Sequence, residues 1–250
     1  MTNEKATGGS TAAAGTAPLD IGPAEFQAWT GVSRETLDRL KVYADLLIEW
    51  QRRLNLIGAT TQPILWQRHM LDSAQLYPLL PAECRVLVDL GAGAGFPGLV
   101  LAAMGVAEVH LVEADSRKSA FLREAAQAMA VNVSIHTQRI EAMEPFPADV
   151  ITARALAALS VLVDMSQPFT HKGTVMAFPK GRNGLREVAE AKESWTRKGW
   201  TPDVRTVSSV TDASAAIILM TGLPAAFDDA DTQDKRPAAP TPESVETRKR

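Results

Sequence analysis

The sequence predicts an α/β fold, a doubly wound parallel sheet that carries a helical extension on its N-terminal side. Three observations predict it. From residue 85 onward, short apolar runs alternate with stretches of helical period, the pattern of successive βαβ units. The first run, Val86-Leu87-Val88-Asp89-Leu90, passes directly into Gly91-Ala92-Gly93-Ala94-Gly95 and Phe96-Pro97-Gly98-Leu99, which reads as a buried strand, a glycine-rich turn and a helix start. Ahead of residue 85 no strand pattern is present, and apolar residues recur at helical spacing instead.

In chain order, residues 1–18 are rich in Ala, Gly, Thr and Ser and hold too little apolar surface to offset the entropy of ordering, so they are expected to be a disordered tail. Pro23 to Trp29 suits a short helix closed by Gly31. Ser33 caps a longer one carrying Leu37, Leu40, Ala44, Leu47, Ile48 and Leu54, with Arg52 and Arg53 in its last turn. Asn55-Leu56-Ile57-Gly58 breaks that pattern, and a third helix is expected from near Pro63 through Trp66, Leu71 and Ala74 to about Leu80. Residues 19–84 thus form the helical extension, and 85–224 the sheet domain. Its strands are expected at 86–90, 109–113, 133–136, 150–153 and 174–178, with helices at about 97–104, from Ser116, at about 155–166 and at 184–198. A final pair near 203–209 and 215–220 is close enough to form a hairpin that closes the sheet. Residues 225–250 return to Asp, Pro, Ala and Thr with a basic end and read as a second disordered tail.

The glycine turn makes a cradle of backbone N–H groups at the carboxyl end of a strand, where open α/β sheets bind ligands. A dinucleotide fingerprint wants a third glycine where Phe96 stands. Asp89, two residues before the first glycine, would repel a pyrophosphate yet suit a ligand with positive charge, and S-adenosylmethionine is such a ligand. Glu113 ends the second strand, 22 residues beyond Gly91, a spacing at which a carboxylate holds the ribose hydroxyls of an adenosine in both dehydrogenases and methyltransferases. Asp89 read blandly caps a turn, and Glu113 read blandly is a solvated strand end.

Composition narrows the class. The 250 residues are 46% hydrophobic and 22% charged with net charge −3, so any case for nucleic acid rests on a local patch. The single cysteine, Cys84, excludes a disulfide framework and fits a reducing compartment. No apolar run reaches membrane-spanning length, and the first residues lack the apolar segment of a secretory signal. The expectation is a cytoplasmic protein that binds no membrane and no metal.

Several segments together resemble one family. They are Asn55-Leu56-Ile57, Arg68-His69-Met70-Leu71-Asp72-Ser73, Asp89 to Gly98, Arg139-Ile140-Glu141, Arg154-Ala155-Leu156-Ala157 and Lys180-Gly181. In this order they are similar to the bacterial methyltransferases that modify N7 of a guanine in small-subunit ribosomal RNA, also called the glucose-inhibited division protein B family. The resemblance covers about residues 37 to 222, with Glu113 standing where relatives often carry Asp. It implies an S-adenosylmethionine-dependent, Rossmann-like methyltransferase sheet with an N-terminal helical addition. It also implies that Gly91 and Phe96, and the Ile140–Glu141 pair, contact the donor, and that Arg154 is a pocket residue. Gly93 belongs to the same cradle. Without the resemblance, Arg139 and Glu141 would read as a surface ion pair worth little.

The chemistry implied is sparse. Guanine N7 has an in-plane lone pair and no proton, so attack on a sulfonium methyl needs alignment and exclusion of water but no general base. Consistent with that, no carboxylate–His or Ser–His–Asp arrangement is evident. The Asp/Asn-Pro-Pro-aromatic sequence of exocyclic-amine methyltransferases is absent after strand four, where the chain reads Thr152-Ala153-Arg154-Ala155, and Cys84 lies before strand one, the wrong side for a pyrimidine C5 nucleophile. Arg154, amid apolar neighbours at a strand's carboxyl end, is the candidate catalytic residue. It could bind the donor carboxylate, an RNA phosphate or the guanine O6 edge, or sit in a buried structural ion pair. Arg68 and His69 on the third helix, and Lys180, Arg182 and Arg186 beyond strand five, are candidates for a basic rim that meets phosphate, against the plain reading of solvated charges. Trp66 and Phe178 fit core packing better than base stacking. The expected partner is small-subunit ribosomal RNA or a ribosomal particle, and the expected state a monomer. The rival readings are a nicotinamide-dependent dehydrogenase and a non-catalytic ribosome-binding factor.

Overall fold

A computed structural model describes residues 21–228 together with 232, 235 and 236. Seven strands form one sheet in the order β3-β2-β1-β4-β5-β7-β6. They are β1 (Val86–Leu90), β2 (Glu108–Val112), β3 (Val133–His136), β4 (Val150–Thr152), β5 (Val175–Lys180), β6 (Asp203–Ser208) and β7 (Ala216–Thr221). β1 to β5 pair in parallel, whereas β7 is inserted antiparallel between β5 and β6. The expected hairpin therefore closes the sheet, with its second strand inside and its first at the edge. All five residues of β1 are buried, as a central strand covered on both faces requires.

The helices are α1 (Pro23–Thr30), α2 (Arg34–Gln51), α3 (Asp72–Ala74), α4 (Gly98–Ala103), α5 (Ser116–Met129), α6 (Leu159–Ser166) and α7 (Gly184–Arg197). Ser33 caps α2 by accepting the Thr36 N–H at 3.0 Å, and Asp115 caps α5 by accepting from Arg117 and Lys118. One face of the sheet packs Leu87, Val109 and Leu111 against α4, α5 and the N-terminal helices, with Leu40, Leu47 and Phe121 in a common core. The other packs Val88, Ile151 and Phe178 against Leu162 of α6 and Trp195 of α7. The N-terminal helices thus share their hydrophobic core with the sheet, which holds them over its carboxyl edge.

Three expectations are corrected. The single third helix from Pro63 to Leu80 is broken into a π-helical segment, Trp66–Leu71, the short α3, and a 3₁₀ turn, Tyr77–Leu79. The Ser73 hydroxyl donating back to the His69 carbonyl and Pro78 inside the last turn both work against a continuous helix. The helix after β4 starts at Leu159, not near 155, because Ala155 takes φ +53° and Ala158 is extended. The resulting loop becomes a wall of the site. Finally, the tail placed at 225 begins in hydrogen-bonded chain, since Ala226 and Phe227 donate to the Thr170 carbonyl at 2.8 and 3.1 Å. The expected tail at 1–18, and most of 225–250, lie outside the described residues.

Candidate active site

Where the order of connection reverses at β1, a cleft of about 790 Å³ opens over the carboxyl ends of β1, β4 and β5, the position at which such sheets bind ligands. The glycine turn forms its floor. Residues 154–158 and Lys180-Gly181 form one wall, and Arg68, His69 and Asp72 the other.

The turn needs its glycines at Gly91 and Gly95, with φ of 67° and 93°. A Cβ on Gly91 would lie 2.8 Å from Leu156, and one on Gly95 2.5 Å from Leu99. Its N–H groups are largely engaged within the protein, that of Ala92 by the Val112 carbonyl and that of Gly95 by the Ala92 carbonyl, and acids brace it from behind. Glu113 accepts from Gly93 N–H at 2.9 Å and from Asp115 N–H at 2.8 Å, and Asp89 accepts from Gly98 N–H at 2.9 Å through Oδ2. Asp89 is wholly buried, yet its Oδ1 has no hydrogen-bond partner. Burial pushes its pKa up to about 7 against the Gly98 N–H and Arg154, which pull it down, while Glu113 adds to the rise. An orphaned carboxylate oxygen beneath a turn whose N–H groups are mostly spent within the protein fits a ligand that brings positive charge and opposes a pyrophosphate.

Arg154 lies across the opposite side of the turn. Its guanidinium stands 4.8 Å from the centre of the Phe96 ring. It donates to His69 Nδ1 at 2.9 Å and to the Arg68 carbonyl at 3.4 Å, and Asp72 Oδ2 is 3.6 Å away. Asp72 is otherwise satisfied by Gln75 and Thr211, at 2.9 and 2.7 Å. The His69 ring stacks on Phe96 with centroids 5.0 Å apart. Phe96 in turn packs on Tyr43 of α2, whose hydroxyl donates to the Ala94 carbonyl.

Of the residues singled out from the sequence, Gly91, Gly93, Phe96, Arg154, Arg68, His69 and Lys180 line this cleft. Asp89 and Glu113 brace the turn from behind. Ile140 and Glu141 lie in a 3₁₀ turn after β3, Ile140 packed on the second core and Glu141 exposed, and neither lines the cleft. Arg182 is exposed beyond the rim. Two expectations change. His69 is not a cation offered to phosphate, because only 8% of it is exposed, and burial together with Arg154 and Arg68 pushes its pKa down to about 3. Lys180 spends its ammonium on Glu187 at 2.9 Å and the Ala157 carbonyl at 2.7 Å, while the same Glu187 oxygen accepts the Leu159 N–H at the start of α6. Lys180 therefore ties β5 to the loop after β4. Arg68 remains 41% exposed beside Asp212, and Arg186 is paired loosely with Glu190.

Sequence reasoning gave no site role to Asp72 and Leu156, although both stand in the segments that carry the resemblance, and passed over Thr61 and Tyr43. Asp72 carried a usable signal, since it stands three residues after His69 and four after Arg68, on one helical face. Tyr43 and Thr61 carried none, because each reaches the site from a distant segment. Among the described residues, no three His, Cys, Asp or Glu side chains are grouped to hold a metal ion, and no helix is long and apolar enough to cross a membrane.

Comparison with known proteins gives a consistent set of likenesses. Residues 36–214 match the family model described as GidB, rRNA small subunit methyltransferase G. A protein of Rhodospirillum rubrum named ribosomal RNA small subunit methyltransferase G is 54% identical over 174 residues, covering 70% of this chain and 87% of that protein. One of the same name from Rhodospirillum centenum is 50% identical over 194 residues, covering 78% and 88%. Among solved structures, an O-methyltransferase from Bacillus cereus, in complex with SAH, superposes with a TM-score of 0.52 at 14% identity, over 78% of this chain and 99% of that one. That likeness is one of fold, the Rossmann-like methyltransferase sheet.

Proposed function

We propose, from the premise that this chain belongs to the GidB family of rRNA small subunit methyltransferase G, that it transfers a methyl group from S-adenosylmethionine to N7 of a guanine in small-subunit ribosomal RNA. Family membership makes it a methyltransferase. The donor, the guanine and its N7 atom, a cytoplasmic location and a monomeric state are our reading. The observation that supports the choice of N7 is that the imidazole lining the cleft is not free to take a proton. The imidazole of His69 has both nitrogens engaged, by Arg154 and Thr61, while Asp72 and Glu187 are each anchored through one oxygen, Asp72 Oδ1 by Gln75 and Thr211 and Glu187 Oε2 by Lys180 and the Leu159 N–H. An exocyclic amine must lose a proton during methylation, whereas N7 has none to lose.

S-adenosylmethionine supplies an electrophilic methyl on a sulfonium. The residues of this chain do the rest. Asp89 offers its unpaired oxygen to positive charge, the Gly91–Gly95 turn allows close approach without side-chain bulk, and Glu113 fixes the turn and offers a carboxylate for ribose hydroxyls. Ile140 and Glu141 stand outside the cleft lining, and their assignment to the adenine rests on the family resemblance alone. Arg154 has more N–H donors than its two bonds use, and turns them to an acceptor on the reactants, the donor's carboxylate or the guanine O6. The apolar ring of Phe96 and the Leu156 side chain exclude water from the line of displacement. Arg68 and Arg186 lie on the exposed rim and Arg182 beyond it, where they attract phosphate.

Incubation with methyl-labelled donor and small-subunit particles from a cell lacking this protein is expected to label one guanine at N7. Labelling of an exocyclic amine or a ring carbon, or none at all, overturns the proposal. Arg154→Ala is expected to fold and to lose about 10- to 100-fold in kcat/KM, the worth of one charge-assisted hydrogen bond. Near-normal turnover would remove Arg154 from the site. S-adenosylhomocysteine at about 100 times its Kd should add about 2.7 kcal/mol of stability and NADH none, the reverse pattern favouring a dehydrogenase.

A further inference from the structure

The polarity of one hydrogen-bond chain is forced from end to end. The Thr61 hydroxyl donates to the Gly58 carbonyl at 2.8 Å, so its hydrogen is spent and its oxygen accepts. His69 Nε2 lies 2.8 Å from that oxygen and must carry the ring's hydrogen. Nδ1 is then a bare lone pair, and it faces a group that can only donate, the Arg154 guanidinium at 2.9 Å. The ring cannot turn out of this arrangement, being stacked on Phe96 and buried. The local backbone contributes as well. In the π-helical segment Trp66–Leu71 the Asp72 N–H bonds to the Gln67 carbonyl, five residues back. That shift takes it off the Arg68 carbonyl, which instead receives Arg154.

We propose that His69 is the positioning residue for Arg154, a neutral imidazole held in the Nε2–H tautomer by Thr61, whose Nδ1 lone pair sets the guanidinium over Phe96 at the cleft. His69 thus acts on the reaction without touching RNA phosphate. A cation at this place would repel Arg154, and an imidazole in the other tautomer would meet it with a second donor. The purpose assigned to Arg154 rests on the methyl-transfer reading; the tautomer does not.

Two measurements test this. Long-range ¹H–¹⁵N spectra of the full-length protein should show His69 with Nε2 protonated and Nδ1 bare, unchanged from pH 8 to pH 5. Thr61→Val, which removes the hydroxyl at nearly constant shape, should disturb that pattern. In methyl transfer, His69→Leu should lower kcat/KM about 10-fold or more, and His69→Asn, whose Oδ1 takes the place of Nδ1, should recover much of the loss. In an Arg154→Ala background, His69→Leu should cost nothing further, because a positioning residue has no effect once its target is gone. A protonated Nδ1, a His69→Leu variant as active as its parent, or a loss that adds in full to that of Arg154→Ala overturns the inference. If His69→Leu fails to fold, His69→Asn and the spectra decide. A parent protein that methylates no RNA refutes the reading of function, and the spectra then judge the tautomer alone.

Discussion

Asp89→Asn is expected to make the ligand-free protein more stable while weakening its hold on the donor. Asp89 is fully buried, its Oδ2 takes the Gly98 N–H, and its Oδ1 meets neither solvent nor a donor. Burial raises its pKa from 3.8 to about 7, so the folded protein holds this proton more tightly than the unfolded chain does. Its contribution to stability is therefore complete below about pH 3.8, is lost as pH rises toward 7, and stays lost above. Over that interval, at about 1.4 kcal/mol per pH unit, the ionised carboxylate opposes folding by about 4 kcal/mol at pH 8. Asparagine keeps an acceptor for the Gly98 N–H and carries no charge, but its amide N–H groups replace the orphaned oxygen and cost about 1–3 kcal/mol if unpaired. The net gain at pH 8 is about 1–3 kcal/mol, and most of it should vanish by pH 4.5. Urea unfolding of parent and variant at both pH values measures the difference, in which all other titrating groups cancel. Titration with S-adenosylmethionine should show a weaker Kd for the variant at pH 8. A variant less stable than its parent by the same amount at both pH values would refute the argument, since an ionised Asp89 would then not oppose folding.

Three further outcomes follow from the same geometry. Pairing of the donor's cation with ionised Asp89 should expel a proton below about pH 7, so the Kd for S-adenosylmethionine should fall as pH rises from 5.5 to 7.5, by up to tenfold per pH unit; a flat profile would separate Asp89 from the donor. Gly98→Ala places a Cβ 2.3 Å from Leu111 and 2.9 Å from Asp89 Oδ2, and overpacking of this kind costs about 1–3 kcal/mol, visible as a lowered urea midpoint; an unchanged midpoint would mean that β1 and α4 separate freely. Arg182→Gln should weaken binding to small-subunit RNA and reduce the slope of log K against log salt by about one, whereas an unaltered slope would place Arg182 outside the RNA footprint.

The fold and the family were legible because their signals are local. The β1–turn–helix stretch announces itself through an apolar run followed by five small residues, and the segments from Asn55 to Lys180 carried a resemblance that the comparisons bear out. The alternation after residue 85 gave the strands to within a residue or two at each end. What stayed illegible depends on contacts between distant segments. Nothing in Arg68-His69 tells a solvated pair from one buried against Phe96; the difference is made by Thr61, eight residues earlier, and by Arg154, 85 residues later. Lys180 read as a rim cation because Glu187, a turn into the next helix, is an ordinary surface residue until the loop after β4 brings the Leu159 N–H to it. The broken third helix was missed for a related reason. Its π-helical register satisfies Arg154, a residue the local sequence does not contain.

These corrections bear on the chemistry. A reaction that displaces a methyl from sulfur to an unprotonated ring nitrogen moves charge but no proton, so its site is best built from groups that do not titrate while it runs. In this cleft the more buried acids and bases are tied to partners of the protein: His69 to Arg154 and Thr61, Asp72 to Gln75, Thr211 and the nearby Arg154, Lys180 to Glu187 and the Ala157 carbonyl. Asp89 keeps a fully buried oxygen that no partner reaches, and it stands on the side of the glycine turn. The instability carried by that oxygen in the ligand-free protein is what a cationic donor can relieve, so donor binding and the folding of this turn draw on the same charge. Solvent pH should accordingly enter through the donor's affinity, while turnover of the loaded enzyme stays level.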